Sequence, residues 1–301
     1  MITIITSFFG ADEYIDHYLK NVSKIIGYNK LCIHTAYNIL GSHLDDNYVN
    51  NKLTEFSKNN NNFILFEIKK DPGLYSLWNT SIKYAKTPYM MTLNIDDTCE
   101  PNYIIKCLAI LRKNHKIDLI SCPIKITKKK NAKKDEYHKI WHDKKNIYYD
   151  TRHNKIKQLQ TANVIKDSNN SYIELKCNRD YKKNCKKIPN KFKKYININY
   201  KQYCLEDMFV DWHCNGNYKS FNIPHCAPIW KRSLHDQYGY LNEKEYGVYA
   251  DFEFWLRLLK NDLYFCQLNR PMILYLENDN SHNRRCDNKM EYMNKIKNEY
   301  F

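Results

Sequence analysis

The chain has 301 residues, 43% of them hydrophobic, enough for a substantial core in one large domain or two small ones. Its 48 Lys and Arg against 33 Asp and Glu leave a formal charge of +15, which favours anionic partners: nucleotides, nucleic acid or an acidic membrane surface. The 11 Cys, with no C-x-x-C pair and no regular spacing, argue against a disulfide framework or zinc ribbon and for free thiols in a reducing compartment.

MITIITSFFGADEY at the start is apolar but lacks a basic leader region and reaches acids by residue 12, so it reads as a first strand and not as a signal peptide. Ile2 to Ser7 is the strand, β-branched and suited to burial, and Phe8-Phe9-Gly10 turns it. Asp12 to Ile26 carries apolar residues at helical spacing, Leu31 to Tyr37 is a second strand, and Asp45 to Lys58 a second helix. Phe63 to Ile68 is a third strand, Asp71-Pro72-Gly73 a turn, Leu74 to Ala85 a helix and Tyr89 to Leu93 a fourth strand. Ile104 to Lys113 reads as a helix and Asp118 to Ile126 as one further strand. Strands alternating with helices predict an α/β fold, a mostly parallel central sheet with helices on both faces, whose ligands sit at the carboxyl ends of the strands. No segment nears the roughly 18 apolar residues needed to span a bilayer.

Residues 128–202 break the pattern: they are Lys- and Asn-rich, with KKKNAKK at 128–134 and RDYKKNCKKIPNKFKKY at 179–195, and read as a basic insertion with a strand near Ser171 to Leu175. From Cys204 order returns; Ala227-Pro228-Ile229-Trp230 reads as leading into a helical start, and Tyr249 to Leu259 as a strong helix with Asp251 and Glu253 in its first turn.

Asp96 and Asp97 stand at the carboxyl end of the fourth strand. Adjacent carboxylates repel, and a hard cation such as Mg2+ or Mn2+, which binds one or two carboxylates plus phosphate oxygens, relieves that repulsion. Strand alternation would put Asn94 and Asp96 on one face and Asp97 on the other. A surface turn or helix cap accounts for the same pair. Asp251 and Glu253 either complement the positive end of their helix or supply a general base at a cleft.

Three blocks in order resemble the inverting family 2 glycosyltransferases of GT-A fold. They are ITIITSFFG, DPGLYSLWNTSIKYAKTPYMMTLNIDDT and PHCAPIWKRSLHDQYGYLNEKEYGVYADFEFWLRLL. The second matches a D-x-G-x-Y, N-x-x-I, L-N-x-D-D pattern, and the third the pattern around that family's catalytic acid. The likeness covers about 1–126 and 204–275. It implies a single glycosyltransferase-like domain over 1–301, with a nucleotide-sugar-binding half at 1–126, the insertion at 128–202 and an acceptor and catalytic-base half at 203–301.

By that resemblance Asp97 would bind Mn2+ or Mg2+ held by the donor diphosphate, and Asp96 would touch the donor or share the metal. Asp251 would be the general base. The backbone around Thr6, Ser7 and Phe8 would line the base pocket; Asp71, Tyr75 and Asn79 would sit near the donor. Trp255 and Arg257 would be structural, and His282 a further metal or phosphate contact. The implied partners are a nucleotide-diphospho-sugar donor, UDP-linked, and a glycan, lipid-linked or protein hydroxyl acceptor, in a cytoplasmic protein that could touch an anionic membrane. The second strand, LCIHTAYN, lacks the acid that reads the base in that family, which leaves the nucleotide open.

A nucleotidyltransferase ranks lower, because SFFGADEY has one Gly and no basic residue where a phosphate loop belongs. A dehydrogenase or methyltransferase of Rossmann type would need glycines that are missing. The non-enzyme alternative is a nucleic-acid- or glycan-binding protein on a degenerate glycosyltransferase fold. Nucleic acid fits less well, since the acids at the ligand edge would repel phosphate without a metal.

Overall fold

A computed structural model describes residues 1–141, 224–268, 270–278 and 286–300. It also gives the backbone of strands at 162–167, 170–175, 200–203, 209–211 and 218–220. The first half alternates as the sequence predicts: β1 (Ile2–Phe8), α1 (Ile15–Ser23), α2 (Tyr28–Leu31), β2 (Cys32–Ile39), α3 (Asp46–Asn59), β3 (Phe63–Ile68), α4 (Leu74–Tyr84) and β4 (Tyr89–Thr92). β1 pairs in parallel with β2 and β4, and β2 with β3. β1, β2 and β4 are largely apolar because both of their faces are covered, whereas the edge strand β3 leaves Ile64 and Phe66 exposed. Ile2, Ile4 and Met91 pack into one core with α1, α3 and α5 (Tyr103–Lys113). Ile5, Tyr37 and Met90 point into a second core with α4. Alternate residues of one strand thus serve opposite layers.

Two sequence expectations change here. The single strand expected over Asp118 to Ile126 is two: β6 (Leu119–Ser121) in the central sheet and β7 (Ile124–Thr127) in another. Pro123 lies between them, and without an N–H it cannot continue a ladder. The segment Ala227 to Trp230, read as leading into a helical start, itself carries a strand to which the sequence reading assigned none, β14 (Ile229–Lys231), antiparallel between β4 and β6; the helix follows at Leu234–Tyr238. Trp230 at its centre is 1% exposed and ties the strand to the second core.

Between these come β5 (Thr98–Cys99), β8 (Lys139–Trp141), β9 (Ala162–Asp167), β10 (Asn170–Leu175), β11 (Tyr200–Tyr203), β12 (Phe209–Asp211) and β13 (Tyr218–Ser220). The strand expected near Ser171 is β10, which pairs with β9. The central sheet continues through β15 (Phe265–Leu268), giving the order β11-β15-β6-β14-β4-β1-β2-β3. A smaller sheet, β5-β16-β7-β8 with β16 at Ile273–Leu276, lies directly after the paired acids in sequence, because β5 begins at Thr98. The second core also takes in α6 (Leu234–Tyr238), α7 (Glu243–Tyr246), α8 (Ala250–Lys260) and α9 (Lys289–Tyr300) through Leu234, Tyr246, Phe254, Trp255, Ile296 and Tyr300. The result is a mostly parallel α/β sheet with helices on both faces. No described helix is long and apolar enough to cross a membrane. All seven described cysteines are free, and six of them are buried.

Candidate functional site

β4 ends at Thr92, and the chain turns over Asn94 to Asp97, with the Asp97 amide donating to the Asn94 carbonyl at 3.2 Å. This turn replaces the strand alternation expected from the sequence. Asn94 and Asp97 converge, and Asn94 Nδ2 donates to Asp97 Oδ2 at 3.2 Å. Asp97 is 1% exposed. Its Oδ2 also accepts from the Cys226 thiol at 3.0 Å, whereas its Oδ1 has no hydrogen-bond partner among the described residues. Burial, and then the neighbouring Asp96 carboxylate, push the Asp97 carboxyl well above the usual range. Burial also raises Asp96. A buried carboxylate with one saturated and one orphaned oxygen, beside a second acid, suits a hard divalent cation.

Cys226 reaches Asp97 because β14 is antiparallel. Its amino end lies at the carboxyl end of β4, with Ile229 opposite Met91, and Cys226 is three residues before it. The connecting loop is pinned: Ala227 adopts a φ of +51°, and the buried Tyr103 hydroxyl donates to the Ala227 carbonyl at 2.9 Å. The sequence reading quoted this segment but missed Cys226. Recognising the short strand at Ile229–Lys231, ahead of the expected helix, would have placed the thiol at the ligand edge.

Asp251 lies on the same edge by topology. α4 follows the carboxyl end of β3, and Tyr75 in its first turn donates to Asp251 Oδ1 at 2.9 Å, with the Val248 carbonyl at 3.0 Å. Tyr75 is buried, and burial and Asp251 raise its phenol pKa. Glu253 has a different environment. It is 2% exposed, bridged by Arg257 Nη2 at 2.8 Å and by the Tyr300 hydroxyl at 2.6 Å. Arg257 also donates to the carbonyls of Tyr238 and Tyr240, and Trp255 packs on Trp230. The two acids of the α8 first turn therefore separate into one half-buried against Tyr75 and one committed to the core.

The other residues expected on the donor side have varied environments. Thr6 is buried, and its hydroxyl contacts Tyr18 Oη at 2.5 Å and His34 Nε2 at 2.9 Å and donates to the Leu93 carbonyl. The side chain therefore braces β1 against β2 and β4. Ser7 is half-buried with its Oγ unpartnered among the described residues. Phe8 is a core residue, set edge-on to Tyr18 at 5.3 Å. Asp71 is exposed and accepts from the Gly73 amide at 2.9 Å, which shapes the turn into α4. Gly73 has a φ of +92°, and a Cβ there would meet both Glu243 carboxylate oxygens at 3.0 Å, so the turn requires glycine. Asn79 clamps the chain before α7, donating to the Leu241 carbonyl at 2.8 Å and accepting from its amide at 3.1 Å. His282 lies outside the described residues.

The first part of the basic excursion packs beside the diacid turn. Lys130 pairs with Glu13, and Asn131 Nδ2 donates to the Glu13 carbonyl at 2.8 Å. Partial burial raises the Tyr14 phenol pKa, and the charges of Lys130 and Asp96 act on it with opposite sign. The run at 179–195 lies outside the described residues.

Residues 41–172 match the family model described as glycosyl transferase family 2; Asp251 lies beyond the matched segment. No curated protein matches the chain. Among solved structures, S. aureus TarS 1-349 in complex with UDP-GlcNAc superposes with a TM-score of 0.59 at 11% identity, covering 98% of this chain and 65% of that one. The same TarS segment in complex with UDP gives 0.57 at 12% identity, over 98% and 64%. S. aureus TarS, in a longer form, gives 0.57 at 11%, over 99% and 39%. The chain thus spans just under two thirds of the TarS 1-349 chains and 39% of the longer form. At such identities the likeness shows the fold. The segment 41–172 is thus similar to glycosyl transferase family 2, and the whole chain has a GT-A-like α/β fold.

Proposed function

We propose that this chain is a metal-dependent, inverting glycosyltransferase that moves a sugar from a nucleotide-diphosphate donor to an acceptor hydroxyl. The observation that carries the reading is Asp97: buried at the carboxyl end of β4, next to Asp96, with Oδ2 holding two donors and Oδ1 none among the described residues. Asp97 Oδ1 would hold Mn2+ or Mg2+, and Asp96 would touch the donor ribose or share the ion. Bound there, the ion would neutralise charge on the leaving diphosphate. Ser7 Oγ and the backbone at the end of β1 would line the base pocket. A UDP-linked donor is supported by the TarS structures, which hold UDP-GlcNAc and UDP on the same fold.

Asp251 would act as the general base. Tyr75 holds its Oδ1 and so fixes the orientation of the carboxylate, which takes the proton of the incoming acceptor hydroxyl. The acceptor oxygen attacks the anomeric carbon from the face opposite the diphosphate, and a single displacement inverts it. The acceptor would be a glycan, a lipid-linked sugar or a protein hydroxyl.

The test is UDP release from a panel of UDP-sugars with Mn2+, for wild type and Asp251→Asn. Removing a general base costs on the order of 10²–10⁴ in rate, so the variant should retain little turnover while still binding UDP. Equal turnover in both proteins would remove Asp251 from that role. Absence of release from every nucleotide-sugar would remove the transferase reading itself.

A further inference from the structure

The pair Asp97 and Cys226 joins parts of the chain 129 residues apart. Asp97 Oδ2 receives two hydrogen bonds, from the Cys226 thiol at 3.0 Å and from Asn94 Nδ2 at 3.2 Å, and Oδ1 receives none from the described residues. A carboxylate whose two oxygens are so unequal is oriented. The saturated oxygen faces its donors, and the orphaned oxygen is left to a ligand. Asn94 belongs to the same tight turn as Asp97, so its bond follows from local geometry. Cys226 comes from another strand and from a loop held in an unfavourable backbone conformation: Ala227 at φ +51°, with Tyr103 locking its carbonyl. Non-glycine residues in that region persist where the surroundings enforce them, and such positions cluster at functional sites.

We infer that Cys226 is a positioning residue for the donor cation: its thiol donates to Asp97 Oδ2 and presents Oδ1 as the single metal-binding oxygen. The inference rests on the proposed metal role of Asp97. The thiol does not bind the ion, and it does not touch the sugar. It acts as an outer partner that fixes a ligating carboxylate, the role that backbone carbonyls and carboxylates play behind metal-bound histidines. A thiol is a weak donor, and serine in its place would keep the donation. Alanine or valine would remove it and leave the carboxylate to Asn94 and the nearby Leu276 amide, which hold it less firmly.

The experiment is Mn2+ binding in the presence of saturating UDP, read from loss of the free-Mn2+ EPR signal. The proteins are wild type, Cys226→Ser, Cys226→Ala and Cys226→Val, the last two being apolar replacements of smaller and larger volume so that packing failure in one leaves the other. Outer partners of ligating groups are worth about 10–100-fold in metal affinity, and the remaining Asn94 bond points to the lower end. The apolar variants should bind Mn2+ about tenfold more weakly, and Cys226→Ser should recover most of the loss although it too is smaller than cysteine. A merely structural thiol would give no such rescue. Unchanged Mn2+ affinity in a folded apolar variant, or a serine variant as weak as alanine, would overturn the inference while leaving the metal role of Asp97 standing. Failure of wild type to bind Mn2+ with UDP would overturn that role and this inference together.

Discussion

His34 lies in the middle of β2 with no exposed surface, Nδ1 at 2.9 Å from Tyr28 Oη, and Nε2 at 2.9 Å from Thr6 Oγ1 and 3.2 Å from Tyr18 Oη. Burial drops its pKa from 6.5 to about 3. The imidazole is therefore neutral in the folded protein through mild acid, but takes up a proton in the unfolded chain below pH 6.5. Stability from this residue is complete above 6.5 and is lost as pH falls from there toward 3. With the folded form still neutral, the loss between pH 7 and pH 5 is RT ln(1 + 10^(6.5 − pH)) taken at the two ends, about 2 kcal/mol. His34→Gln should be less stable than wild type at pH 7, since it disturbs a buried network. It should nevertheless lose about 2 kcal/mol less between pH 7 and pH 5. His225 and His235, each lowered by burial to about 4, titrate alike in both proteins and cancel in the comparison. Urea unfolding at the two pH values measures the difference directly. Parallel losses in both proteins would refute the picture of a neutral imidazole holding Thr6, and with it the brace that sets the end of β1 at the donor edge.

Other outcomes follow from the division of roles around α8 and α4. Glu253→Ala removes the buried partner of Arg257 and Tyr300, and breaking a buried pair of this kind costs about 3–5 kcal/mol, to be read as a fall in Tm. Glu253→Gln should keep UDP release at a temperature where it is folded, unlike Asp251→Asn; an activity loss in Glu253→Gln as deep as in Asp251→Asn would mean that the two acids have been assigned the wrong way round. Asn79→Ala deletes both bonds to the Leu241 backbone and should lower stability by about 1–3 kcal/mol in urea unfolding. An unchanged midpoint would show that the segment before α7 is held by other contacts.

The first half of the fold was legible because it is written in two periods. Short runs of β-branched or aromatic residues such as ITIITS and FILFEI form strands here, and the Leu74, Leu77, Trp78, Ile82 spacing is a helix with one apolar stripe. The acids at 96 and 97 were legible as a ligand edge because a strand ends just before them. Four features were not. The shift from β6 to β7 hinged on Pro123, whose effect on a ladder outweighs the apolar run around it. Ile229–Lys231 is three residues long, too short to carry a period, and its direction is set by its neighbours β4 and β6. The thiol–carboxylate contact of Cys226 and Asp97 depends on that direction, so no local pattern signals it. Likewise Tyr75 and Asp251, 176 residues apart, meet only once α4 and α8 share one core.

The central claim is that Asp97 holds the cation through which a nucleotide diphosphate binds. It is tested most directly by calorimetric titration of UDP and GDP, with and without Mn2+, into wild type and Asp97→Asn. The account predicts that UDP binds wild type only when Mn2+ is present, and that the variant loses this metal-dependent binding while remaining folded. Equal, metal-independent binding in both proteins, or no binding of either nucleotide to wild type with Mn2+ present, would contradict it.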